Sequence, residues 1–180
     1  MDIDAIVAGA KRIMLKTGRH LPTLLIEHNG TITAGTLSAL PDTTLEKKRL
    51  LFQLGVDLAM KQDIEAEDVT QLVWICEVWF SAPIPKEQFK DAPRPSQDPH
   101  RQEGLMVLFL TITDKVIAQD MRMVEVLRAG GTLDLVVHDK TYDEIHSSLL
   151  TSCLAGIVSV ALSESELTAI INKAVTEHDR

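Results

Sequence analysis

Val69-Thr70-Gln71-Leu72-Val73-Trp74-Ile75-Cys76-Glu77-Val78-Trp79-Phe80 and Leu105-Met106-Val107-Leu108-Phe109-Leu110-Thr111-Ile112-Thr113 are the two stretches whose reading decides the fold. The first is rich in β-branched and aromatic residues. As a strand it sets Trp74 and Val78 on one face and Ile75, Glu77 and Trp79 on the other. The second is apolar at every position from Leu105 to Leu110, the pattern of a central strand covered on both faces. Between them runs a polar connection, Ser81 to Gly104, that holds five of the chain's seven prolines. A polar loop this long inside a compact domain is uncommon, and when ordered it is often functional. Pairing of the two strands gathers its charged residues at one end of a sheet.

Working outward, Asp114-Lys115 turns the chain into 116–128, and Gly130-Gly131 turns it again into 132–138. Ile117, Met121 and Val124 also fit a helix. The strand is preferred because Gly-Gly and a second β-rich run follow directly. Upstream, Leu24-Leu25-Ile26, Asn29-Gly30 and Thr31-Ile32-Thr33 form a hairpin pattern, since Asn-Gly tolerates the positive φ of a tight turn.

Helices flank these strands. Ile3, Ile6, Val7, Ala10, Ile13 and Met14 recur at helical spacing over 3–17, with Asp2 to cap the start and Gly18 to close the end. The small residues Ala8-Gly9-Ala10 point to close helix packing. Thr43 with Glu46 makes a capping box before a helix to about Gln62, with Leu50, Leu51, Leu54 and Leu58 on one face. Residues 63–68 read as a loop. Further capping patterns at Thr141–Glu144 and Ser163–Glu166 precede helices over 145–160 and 167–176. Apolar nearly all round, the first of these suits burial, and Ala155-Gly156 permits close approach of another backbone. The expected fold is α+β: one domain over residues 1–180, with an antiparallel sheet of five to six strands (hairpin plus meander) and helices packed on it.

Composition narrows the function classes. The net charge of −8 argues against a broad phosphate-backbone surface, so no nucleic-acid partner is expected. The longest apolar stretch, Leu149 to Leu162, is too short for a bilayer and is interrupted by Thr151, Ser152 and Ser159, and the acidic start lacks a signal core. Cys76 and Cys153 lie among apolar neighbours and read as buried free thiols. A soluble, cytoplasmic protein without a membrane partner is the expectation. Met106, Met121 and Met123 read as core filling rather than an adaptable binding face.

Candidate chemistry concentrates in the connection. Asp98, His100, Arg101 and Glu103 lie within six residues at the mouth of a strand, and Glu77 leaves the partner strand. Strand pairing brings Glu77 and Glu103 into one neighbourhood, where Arg101 or Arg94 can neutralise them or grip a carboxylate or phosphate. As a site, this makes His100, Glu77 and Glu103 the acid/base candidates and Arg94, Asp98 and Arg101 the ligand-binding ones. Read structurally, the same residues pin a proline-stiffened loop by an Arg–Glu salt bridge, the commoner fate of charged loop residues. The six histidines show no ligand spacing, so no metal is expected. No nucleophile motif or phosphate loop occurs, and no cofactor is indicated.

Glu77-Val78-Trp79 followed by Pro95-Ser96-Gln97-Asp98-Pro99-His100-Arg101-Gln102-Glu103 resembles a group of bacterial hypothetical proteins. These carry an acidic-aliphatic-Trp segment and then Pro-Ser-x-Asp-Pro-x-Arg-x-Glu before an apolar strand. The pattern covers about a fifth of the chain and implies no activity. The expectation is therefore a non-catalytic binding or assembly module of bacterial or phage type, acting as a homo-oligomer or on a protein partner through its sheet edge, its 81–104 loop or its carboxy-terminal helices. The rival is a small enzyme acting on a polar or anionic substrate at the 77/94–103 site.

Overall fold

A computed structural model describes residues 1–80, 99–114, 116–129, 132–138 and 148–161. Three helices, α1 (Ile3–Thr17), α2 (Thr44–Gln62) and α3 (Ser148–Ala161), accompany six strands: β1 (Thr23–His28), β2 (Thr31–Thr36), β3 (Val69–Phe80), β4 (Gln102–Thr113), β5 (Val116–Ala129) and β6 (Thr132–His138). The strands form one antiparallel sheet in the order β2-β1-β3-β4-β5-β6. This is the expected α+β class. The ambiguous 116–128 segment is a strand, while the helix expected over 167–176 lies outside the described residues.

Local chemistry accounts for the element ends. The Asp2 carboxylate accepts the Asp4 and Ala5 amides at the head of α1, and Gly18 closes it in the left-handed region at φ 74°. Asn29 and Gly30 both take positive φ, the requirement of a two-residue turn that matches strand twist. At the head of α2 the Glu46 amide donates to the Thr43 hydroxyl, which in turn donates to the Glu46 carboxylate.

Strand parity divides the core. Leu72, Trp74 and Cys76 of β3, with Leu108 and Leu110 of β4, face α2 and α3. Met106 and Met121 pack against the same cluster, and Met123, buried, pairs with Met106, in keeping with core filling. Val73, Ile75, Leu105, Val107 and Phe109 face α1, where Val7 and Ala10 meet them. Both faces of the β3–β4 pair are thus covered, the burial that its continuous apolar run demands. Burial of this kind contributes roughly 25 cal/mol per Å² of apolar surface removed from water.

α2 and α3 touch backbone to backbone. A Cβ on Gly55 would sit 2.3 Å from the Cys153 carbonyl oxygen, and one on Gly156 would sit 2.1 Å from that of Phe52. Gly156 thus makes the close approach its sequence suggested. Gly9 does not: among the described residues a Cβ there meets nothing within 4 Å. Among the described residues no helix is long and apolar enough to cross a membrane.

Candidate functional site

The two deciding strands are direct neighbours, running from Gln71 opposite Thr111 to Phe80 opposite Gln102. Their shared end, where residues 81–98 connect them, is where the candidate residues lie. Glu77 opposes Leu105 and Trp79 opposes Glu103, so Glu77, Trp79 and Glu103 share the α1 face, the two carboxylates as diagonal neighbours. Arg94 and Asp98 lie outside the described residues. His100 occupies an exposed turn with Pro99, and exposed Arg101 follows it.

Each carboxylate is engaged by a partner that the sequence reading did not name. Glu103 meets Arg128 of β5 as a two-pronged pair. The Arg128 Nε donates to Oε2 and a terminal nitrogen to Oε1, both at 2.7 Å. The same terminal nitrogen donates to the Gly18 carbonyl at 2.7 Å, tying the left-handed cap of α1 to the sheet. Hydrogen bonding by Glu103 raises the Arg128 pKa further above its ordinary value, with the charges of Glu103 and Glu77 adding to it and burial opposing. Glu77 accepts the backbone amide of His20. His20 itself is buried, with its Nδ1 2.7 Å from the Leu21 carbonyl.

Strand lengths explain why His20 is there. β1 pairs with β3 only from Val69 to Ile75, so Cys76 to Phe80 extend beyond its ladder. The connection from α1 into β1 lies beside that overhang, held through Glu77. On the far side of the overhang, β4 and β5 supply Glu103 and Arg128.

The described cation of Glu103 is Arg128, where Arg101 or Arg94 is expected from the sequence; Arg94 lies outside the described residues. Arg101 instead stacks over the Trp79 ring, its guanidinium carbon 4.6 Å from the ring centroid. Trp79 is 48% exposed. On the opposite face Phe80 lies across Gly104, where a Cβ would come within 2.7 Å of its ring. The glycine lets the ring lie flat on β4 and close that side of the sheet end.

Two hollows are lined by described residues. A cavity of about 80 Å³ lies under Leu40, Lys47, Trp74, Cys76 and Met106 and touches Glu77, but neither His100 nor Arg101 lines it. That is space for a few waters, against the roughly 300 Å³ at which ligand pockets begin. A larger, open depression of about 450 Å³ runs over Lys48, Arg49, Phe52 and Ala155 on the α2–α3 layer, without any candidate residue. Among the described residues no group of three metal-ligating side chains occurs.

Arg128 was within reach of the sequence. A two-residue turn at 114–115 opposes Thr113 to Val116, and counting back then opposes Glu103 to Val126. That leaves Arg128 diagonal to Glu103 on the same face. The His20 contact had no comparable signal, because it depends on where β1 stops. No family model, curated protein or solved structure matches the chain.

Proposed function

We propose that this chain is a non-catalytic binding or assembly module of the cytoplasm, working through contacts with protein. One observation carries the reading: the carboxylates that an enzyme would use at 77/94–103 are engaged in holding α1 to the sheet. A general base needs a lone pair within reach of a substrate proton. Both Glu103 oxygens face a guanidinium, and one Glu77 oxygen holds a main-chain amide. Among the described residues this sheet end offers outward Trp79 with Arg101 stacked on it, two of the residue types that most often anchor protein interfaces. Two buried, unpaired thiols fit a reducing compartment.

A double-mutant cycle tests this. Glu103→Gln and Arg128→Met should each destabilise the chain by about 1 kcal/mol in urea unfolding. The double variant should fall short of additivity by at least about 0.5 kcal/mol. Glu103→Gln that stabilises the protein, with no coupling to Arg128, is the signature of a carboxylate kept for chemistry and would defeat the reading.

A further inference from the structure

The two borders of the sheet are finished differently. On the β5–β6 side, the stretches without a described neighbour carry an aspartate that turns back onto the next amide. Asp120 accepts the Met121 N–H at 2.7 Å, and Asp134 accepts the Leu135 N–H at 2.8 Å. Both amides point away from the paired strand, so each carboxylate occupies a donor that an incoming strand would need; Asp120 is itself paired with Arg122 at 2.6 Å, and Asp134 adds a charge that discourages approach. Among the described residues β6 is the last strand on that side, and β5 runs past Met123 without a strand partner there.

β2, the opposite border, has no such device. Its sequence, Thr31-Ile32-Thr33-Ala34-Gly35-Thr36, contains no charge and no proline, and its pairing with β1 has no bulge. The two-residue turn makes His28 and Thr31 a hydrogen-bonded pair, so Thr33 and Gly35 also bond inward. Leu37 keeps the same phase, its amide donating to the Pro22 carbonyl at 2.9 Å. Ile32, Ala34 and Thr36 therefore aim their amides and carbonyls outward, and no hydrogen bond beyond the β1 ladder reaches them among the described residues. Ile32 is 54% exposed.

We infer that β2 is the docking edge for a second copy of this chain, paired antiparallel about a twofold axis at Ala34. This names the partner within the assembly reading above and rests on it. The register is the one that satisfies every outward group. Ala34 opposes its own equivalent and Ile32 opposes Thr36 of the other copy, giving six main-chain hydrogen bonds. No charged side chain is brought against its like, which matters for a chain of net charge −8 meeting itself. A small residue on the axis and β-branched residues on either side suit a close cross-strand fit.

Sedimentation across a concentration series, with amide exchange read alongside, decides it. The wild-type chain should reach twice its 19.9 kDa mass, with the Ile32, Ala34 and Thr36 amides gaining protection as concentration rises. Thr33 and Gly35, already bonded to β1, should not change. Ala34→Pro removes an outward amide and spares the β1 ladder, so it should stay monomeric with an unchanged circular dichroism spectrum. Ile32→Lys, at an exposed site, gives the same readout should the proline disturb the hairpin. A wild-type chain that is monomeric throughout overturns the inference. A dimer that survives both substitutions also overturns it while leaving assembly by another surface standing; the ion-pair cycle decides the module reading independently.

Discussion

Gly156→Ala and Gly9→Ala put the same methyl group into two helices and should move stability in opposite directions. At Gly156 the new Cβ would lie 2.1 Å from the Phe52 carbonyl oxygen, 3.0 Å from its carbon and 3.2 Å from the Val56 nitrogen. These are backbone atoms, so no rotamer change relieves the clash. α2 and α3 must separate by roughly 1 Å, a gap that forfeits a quarter to a half of each affected contact. The contacts at stake belong to Leu51, Leu58, Leu150, Cys153 and Ile157, all buried in one cluster. Overpacking of this kind costs about 3 kcal/mol at the upper end, offset by about 1 kcal/mol from the better helix propensity of alanine. The net loss of about 2 kcal/mol should lower Tm by about 4–8 °C for a chain of this length. Gly9→Ala meets nothing within 4 Å and should keep the propensity gain alone, about 0.5–1 kcal/mol. Urea and thermal unfolding followed by far-ultraviolet circular dichroism measure both. A Gly156→Ala variant that melts above the wild type would refute the backbone contact between the helices.

Other expectations follow from the titratable groups. Burial pushes both the Cys76 and Cys153 thiols up to about 12, so an aromatic disulfide reagent at pH 8 should label them only as fast as the protein opens; prompt labelling of the native chain would contradict their burial. The same shifts make alkali destabilising. Thiols of the unfolded chain ionise from 9.0 and the folded ones near 12, so stability should fall across that window. Glu27, which accepts the Met1 amine at 2.7 Å and the Thr70 hydroxyl at 3.2 Å, is lowered from 4.5, chiefly by the amine's hydrogen bond. Its ionised form favours the fold, a contribution present above 4.5 and lost as pH falls through the folded value. The stability gap between wild type and Glu27→Gln should therefore close below about pH 4.5; parallel pH curves would refute the assignment.

What the sequence made legible was whatever a short segment determines by itself. The Asn29-Gly30 turn, the Asp2 and Thr43 caps and the alternation along 69–80 each depend on a few adjacent residues, and each stands in the structure. Strand pairing across the 81–98 connection was also readable, because only the burial given by a neighbouring strand and two covered faces accommodates six consecutive apolar residues from Leu105 to Leu110. What escaped depends on lengths and layers. Alternation cannot say that α1 crosses to the face opposite α2 and α3, where Ala10 of the small-residue stretch meets the core and Gly9 does not. Nor can it say that β1 stops against Ile75, the fact that brings His20 to Glu77.

The overhang of β3 past β1 also explains why Glu77, Glu103 and Arg128 gather at this end. A strand that outruns its neighbour leaves main-chain donors and acceptors unpaired along one side, and buried ones must find partners. The incoming connection from α1 supplies the His20 amide and needs an acceptor, which Glu77 provides. The last turn of α1 leaves carbonyls unbonded, and the Gly18 carbonyl takes a donor from Arg128. Arg128, half exposed, needs an anion to fix its geometry, and Glu103 fits it with two parallel bonds. Glu77, Glu103 and Arg128 thus each meet a backbone or ionic need of the fold. Removing Arg128 should loosen the carboxy-terminal cap of α1 before it affects any surface contact, an order of events that amide exchange at Gly18 and His20 would resolve.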